Sequence, residues 1–166
     1  MLLEVGVIFG YICMKLAVEL VPSTAWFSSL YRLLPKNEWY RLKSEVFAKE
    51  GRKCYICSSE RGLSLHEFWT YDDVKHIQKL SEFHHLCNLC HKIKHIGFWC
   101  HTADGQEKLA QEGLCHEDLI EHFCKVNGCT WKEFEDHEKA AFEVWEKRSL
   151  HSWKQDFGEY GQYVKI

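Results

Sequence analysis

The sequence has 166 residues, a net charge of −3 and a pI near 6.4. That length sets an expectation of one domain with one sizeable core, and a 46% hydrophobic composition with only two prolines excludes a disordered or collagen-like chain. A global basic field for nucleic acid is absent, and no apolar run is long enough to span a bilayer.

Val5 to Met14 is an apolar run flanked by Glu4 and Lys15, and no basic residue precedes it, so a secretory signal is not expected. Met14 offers an alternative start, which would leave 1–13 as an upstream extension without a fold role. Residues 15–21 read as a strand, with Leu16, Val18 and Leu20 alternating with Ala17 and Glu19. Asn37 is placed to cap a helix running to Glu50, with Trp39, Leu42, Val46 and Phe47 on one face and Gly51 as its stop. Residues 63–69 read as a strand. Asp72 or Asp73 is placed to cap a short helix with Val74, Ile77 and Leu80 on one face. Residues 86–95 read as a knuckle running into a helix.

Two further helices are expected at 104–112 and 116–126, the second stopped by Gly128. Thr130 and Glu133 form a capping box that starts another, with Trp131, Phe134, Ala141, Phe142 and Trp145 on one face to about Arg148. The aromatic tail from Trp153 onward is expected to pack back on the body. This C-terminal part is acidic: residues 101–148 hold twelve Asp/Glu against six Lys/Arg, whereas 41–61 hold six Lys/Arg against three Glu.

Cysteine and histidine carry the chemistry. Nine cysteines are an odd number, which a fully paired disulfide scaffold cannot use. Cys54 and Cys57, then Cys87 and Cys90, form two C-x-x-C pairs separated by 29 residues. Two intervening residues let the chain turn and present both sulfurs to one ion, so the quartet predicts a tetrahedral structural zinc in a reducing, cytoplasmic setting. His66-Glu67 lies on the strand between the pairs. His91 follows the last cysteine and His95 lies one helical turn on, so the zinc and two imidazoles share one frame. Cys100, His101, Cys115, His116, His122, Cys124 and Cys129 read as reduced thiols and helix-face residues rather than as a second metal site. Trp39, Trp69 and Trp99 read as core.

The run of C-x-x-C, Leu65-His66-Glu67 and Leu86-Cys87-x-x-Cys90-His91-x-x-x-His95 resembles the HNH endonucleases, the ββα-metal nucleases, over about residues 39–98. The resemblance implies an α+β fold: a small ββα-metal, treble-clef-like centre with zinc knuckles, flanked by N-terminal and C-terminal helices. It divides the chain into an N-terminal extension and strand (1–36), a nuclease core with the four-cysteine zinc (37–98) and an acidic helical region packed on it (99–166). It implies metal-dependent hydrolysis of DNA phosphodiester bonds, with His66, Glu67 and His91 as catalytic residues. His66, Glu67, His91 and His95 would be ligands to a catalytic Mg²⁺ or Mn²⁺, with Ni²⁺ or Zn²⁺ tolerated by such a mixed set.

The family pair is Asp-His or His-His, ligand first and base second. In strict register His66 takes the ligand position and Glu67 the base, while the chemistry of the two groups favours the reverse. The middle Asn has no clear counterpart, with His84, His85 and Asn88 the nearest. Arg52, Lys53, Arg61, Lys92 and Lys94 are the expected phosphate contacts. A non-catalytic zinc-knuckle adaptor for nucleic acid or protein is the other function class, since it needs the cysteines alone. The C-terminal helices are the expected surface for a protein partner or a second copy.

Overall fold

The computed structural model describes residues 14–25 and 29–164, so the 1–13 extension lies outside the described residues. The strand expected over 15–21 does not form. Helix side chains take its backbone groups in place of a neighbouring strand. Leu16 N–H donates to Asn127 Oδ1 at 2.9 Å, and Asn127 Nδ2 donates to the Leu16 carbonyl at 2.8 Å. Val18 N–H donates to His137 Nε2 at 3.0 Å, and Trp145 Nε1 donates to the Val21 carbonyl at 2.9 Å. A buried backbone group needs a partner, and a side chain serves as well as a ladder. The alternation still describes burial, because Leu16 and Val18 are both buried.

Helix α1 (Leu30–Leu33) leads through Pro35 into α2 (Lys36–Glu50), which starts just before the expected Asn37 cap. Proline fixes φ there and gives up no N–H the helix needs. Trp39, Leu42 and Val46 are buried, and Gly51 ends the helix at φ 81, a conformation that side chains with a Cβ resist.

Strand β1 (Ser64–Asp72) pairs antiparallel with β2 (Ile77–Leu86), Leu65 opposite His85 and His66 opposite His84. The helix expected from Asp72 or Asp73 is therefore replaced by a hairpin turn and a strand. Asp72 does cap, but it caps the turn: its Oδ1 accepts from the N–H groups of Val74 and Lys75. Val74, Ile77 and Leu80 are too few to separate a helical from a strand period, and pairing with β1 decides it.

Five helices follow: α3 (Asn88–Lys94), α4 (Ile96–His101), α5 (Ala103–Gln111), α6 (His116–Asn127) and α7 (Trp131–Ser149). Helix α4 was not expected from the sequence. A Cβ at Gly105 would lie 2.0 Å from the Phe98 carbonyl oxygen, so glycine lets α5 pass α4 closely. The Thr130/Glu133 capping box forms. Phe134 is buried, but Trp131 is 44% exposed and is not core. The tail returns as expected: β3 (Lys154–Asp156) adds parallel to β2, giving the order β1-β2-β3.

The resulting α+β sheet separates two cores. On one face α2 meets Leu65, Leu80, Phe83 and the tail's Phe157. On the other, Leu86 and Ile93 join Phe123 of α6 and Phe134 of α7. Among the described residues no helix is long and apolar enough to cross a membrane.

Candidate metal centre

Four sulfurs meet where the chain enters the hairpin and where it leaves for α3. Cys54 and Cys57 sit in a tight turn, closed by Ser58 N–H to the Cys54 carbonyl (2.9 Å) and Cys54 N–H to the Ser59 carbonyl (2.7 Å). Tyr55 N–H donates to the His85 carbonyl, which ties this turn to β2. Cys87 is the N-cap of α3 and Cys90 lies in its first turn. All four Sγ atoms lie within 4.8 Å of one another, and Cys57 and Cys87 are 3.5 Å apart. A tetrahedron of Zn–S bonds has S···S edges of about 3.8 Å. None of the four forms a disulfide.

The thiols also drive one another's pKa apart. Hydrogen bonds from Cys87 and Cys90 lower that of Cys54, while Cys87 is pushed up to about 12, first by its bond to Cys54. Thiolates this crowded repel, and a shared cation relieves the repulsion. The quartet therefore fits a zinc ion by spacing and by chemistry. His122 of α6 adds a contact that the sequence did not signal: its Nε2 lies 3.2 Å from Cys90 Sγ. An N–H aimed at a ligating sulfur orients it and offsets its charge.

A second cluster lies on the same frame. His66 is on β1, His91 in α3, and His95 at the junction of α3 and α4. Their ring centroids form a nearly equilateral triangle, with sides of 4.9, 4.9 and 5.0 Å. One ring nitrogen from each lies within 4.8 Å of the others. His66 is buried at 5% exposure, and its Nδ1 has no hydrogen-bond partner. Desolvation lowers the pKa of all three, that of His95 to about 4, with neighbouring positive charge as the smaller cause. They are held as neutral imidazoles, the form that ligates metal. Three imidazoles with an unpartnered buried nitrogen fit a divalent transition ion.

Glu67 does not join them. Successive strand residues face opposite ways, so Glu67 points to the α2 side, where its Oε1 accepts from the Leu30 N–H at 3.1 Å. Its carboxyl pKa is raised by that burial. His84 is not a ligand either: its two nitrogens lie 2.8 Å from Glu50 and Glu82, and its ring stacks on Tyr55. His85 stacks on Phe47 on the α2 side, and Asn88 is exposed with its side chain bonded to Glu112.

The basic residues divide. Arg52, Lys53 and Arg61 are exposed, but Lys92 and Lys94 are 3% and 4% exposed. Lys92 Nζ pairs with Glu112 at 2.9 Å and lies over the Trp99 ring, and Lys94 Nζ pairs with Glu19 at 2.5 Å. Both ammonium groups bind the C-terminal and N-terminal segments to α3, which removes them from the surface expected to meet phosphate. No protein-family model, curated protein or solved structure matches the chain.

Proposed function

We propose that the protein is a metal-dependent endonuclease of the HNH type that hydrolyses DNA phosphodiester bonds. The observation that carries this reading is the triangle of His66, His91 and His95 on a hairpin-and-helix unit whose two ends share the four-cysteine cluster. In this reading the unit is a ββα-metal, treble-clef-like centre braced by zinc. His91 and His95 would hold a divalent ion, which when bound would supply Lewis-acid stabilisation of charge on the phosphate and the leaving oxygen. His66, kept neutral by burial, accepts the proton from the attacking water. Arg52, Lys53 and Arg61 lie before β1 and hold the DNA backbone.

A non-catalytic adaptor is the second reading, and the burial of Lys92 and Lys94 favours it by shrinking the phosphate-facing surface. Supercoiled plasmid incubated with Mg²⁺, Mn²⁺, Ni²⁺ or Zn²⁺, against a chelator, separates the two. The nuclease reading expects nicked or linear product that the chelator abolishes and that His91→Ala reduces at least ~10²-fold. Intact plasmid with every metal would leave the adaptor.

A further inference from the structure

A third cluster lies outside the proposed active centre and joins three helices. His101 closes α4, His116 opens α6, and Glu138 is in the middle of α7. One ligand atom from each lies within 4.8 Å of the other two. His101 Nε2 is 3.0 Å from Glu138 Oε1, and His116 Nε2 is 3.8 Å from the same oxygen. The second distance is too long for a hydrogen bond. It leaves His116 Nε2 buried without a hydrogen-bond partner, although a carboxylate faces it. With metal–ligand bonds of 2.0–2.1 Å, a tetrahedral ion has ligand–ligand edges of about 3.3 Å, which these two distances straddle. Cys100 and Cys115 adjoin the two histidines in sequence but stay outside the group.

We propose that His101, His116 and Glu138 form a separate metal site that takes a divalent transition ion, zinc foremost, and cross-links α4, α6 and α7. Two imidazoles and one carboxylate suit Zn²⁺, Co²⁺ or Ni²⁺ and disfavour Mg²⁺ and Ca²⁺, which prefer all-oxygen sets. His101 is exposed, so water completes the coordination from the solvent side. The site's role is structural: the acidic helices are joined to α4, the helix that continues from the His95 junction. The proposal does not depend on the nuclease reading.

The test uses the full chain with its four-cysteine cluster already loaded with zinc, titrated with Co²⁺ and, separately, with Zn²⁺. Wild type is compared with His116→Ala, Glu138→Gln and His91→Ala. The expected result is that His116→Ala and Glu138→Gln each bind one equivalent fewer than wild type, or bind it at least ~10²-fold more weakly, beyond the usual loss on removing a ligand's supporting residue. His91→Ala removes the ion of the other histidine cluster, and adding Glu138→Gln in that background should remove one further equivalent. The Co²⁺ form should show weak visible bands without thiolate charge transfer. Free zinc a hundredfold above Kd should raise the melting temperature by roughly 5–10 °C in His91→Ala, where the other histidine cluster is disabled, and not in the double variant His91→Ala/Glu138→Gln. Glu138→Gln leaves an acceptor for His101 and nearly the same shape, so it carries the comparison should His116→Ala fold poorly. Equal stoichiometry and equal melting gain in wild type and Glu138→Gln would overturn the proposal. So would equal stoichiometry in His91→Ala and in His91→Ala/Glu138→Gln, which would place every added ion away from Glu138.

Discussion

Neighbouring residues in one strand have opposite surroundings here. His66 faces His91 and His95, while Glu67 faces α2 and the Leu30 N–H. This separates their expected variants. His66→Ala should fold, keep its four-cysteine zinc and lose at least ~10²-fold in plasmid cleavage, the scale of removing a general base. Raising Mn²⁺ should not rescue it, whereas part of the His91→Ala loss should return. Mn²⁺ rescue of His66→Ala would make His66 a third ligand and leave the base unassigned. Glu67→Gln keeps an acceptor for Leu30 and removes a charge whose burial raises the carboxyl pKa. It should cleave like wild type and be no less stable at neutral pH, and a large loss of cleavage would return Glu67 to the centre. His122→Ala tests the contact on Cys90: zinc retention in a chelator competition should fall about 10- to 100-fold with the fold intact.

Between elements, the cysteine quartet joins the turn before β1 to the start of α3, and the two ends of the hairpin meet there. Structural zinc in small domains contributes ~10 kcal/mol or more, comparable to the whole stability of an ordinary domain. Cys87→Ser or Cys90→Ser should therefore abolish both bound zinc and the cooperative melting transition. A wild-type chain that is folded and zinc-free by elemental analysis would refute the assignment. At the far end of the hairpin, Arg148 of α7 grips Asp73 through Nε to Oδ1 at 2.7 Å and Nη2 to Oδ2 at 2.8 Å, with its guanidinium over the Tyr71 ring. The bond to Arg148 lowers the Asp73 pKa below its ordinary 3.8. A depressed carboxylate stabilises the fold above its unfolded pKa, and that contribution fades as pH falls through the lower folded value. Asp73 is largely exposed, so Asp73→Asn should cost at most ~1 kcal/mol at pH 7. That cost should shrink towards zero below pH ~3, read as converging urea midpoints. A cost that persists in acid would point to shape rather than charge.

For the molecule as a whole, charge limits how DNA could be held. The net charge is −3, the helices beyond residue 100 are acidic, and two of the five expected phosphate contacts are buried in ion pairs. With Arg52, Lys53 and Arg61 left, the slope of log affinity against log salt should be about −3 or shallower. Removing any one of the three should flatten it by nearly one unit. Lys92→Gln and Lys94→Gln should alter stability and leave the slope unchanged. A slope that depends on them would mean that their pairs with Glu112 and Glu19 open when DNA binds.

Much of this was legible in the chain because short spacings are set by local geometry. Two residues between cysteines turn the backbone so that both sulfurs face one point, and the i, i+4 spacing of His91 and His95 puts them on one side of a turn of helix. The capping box at Thr130, the stops at Gly51 and Gly128 and the inward face of α2 are local in the same sense. Partners far apart in sequence were decided only by packing. Whether residues 77–86 became helix or strand depended on β1 lying alongside, and the 15–21 segment lost its expected ladder because α6 and α7 offered side chains first. Burial of Lys92 and Lys94 needed Glu112 and Glu19 to arrive from 20 and 75 residues away. Glu138 carried no signal at all among twelve acidic residues of its region, since only the crossing of α4, α6 and α7 brings it to two histidines. Ligand type and local spacing belong to the covalent chain; which side chains finally share a point in space belongs to the burial of apolar faces that fixes where the elements cross.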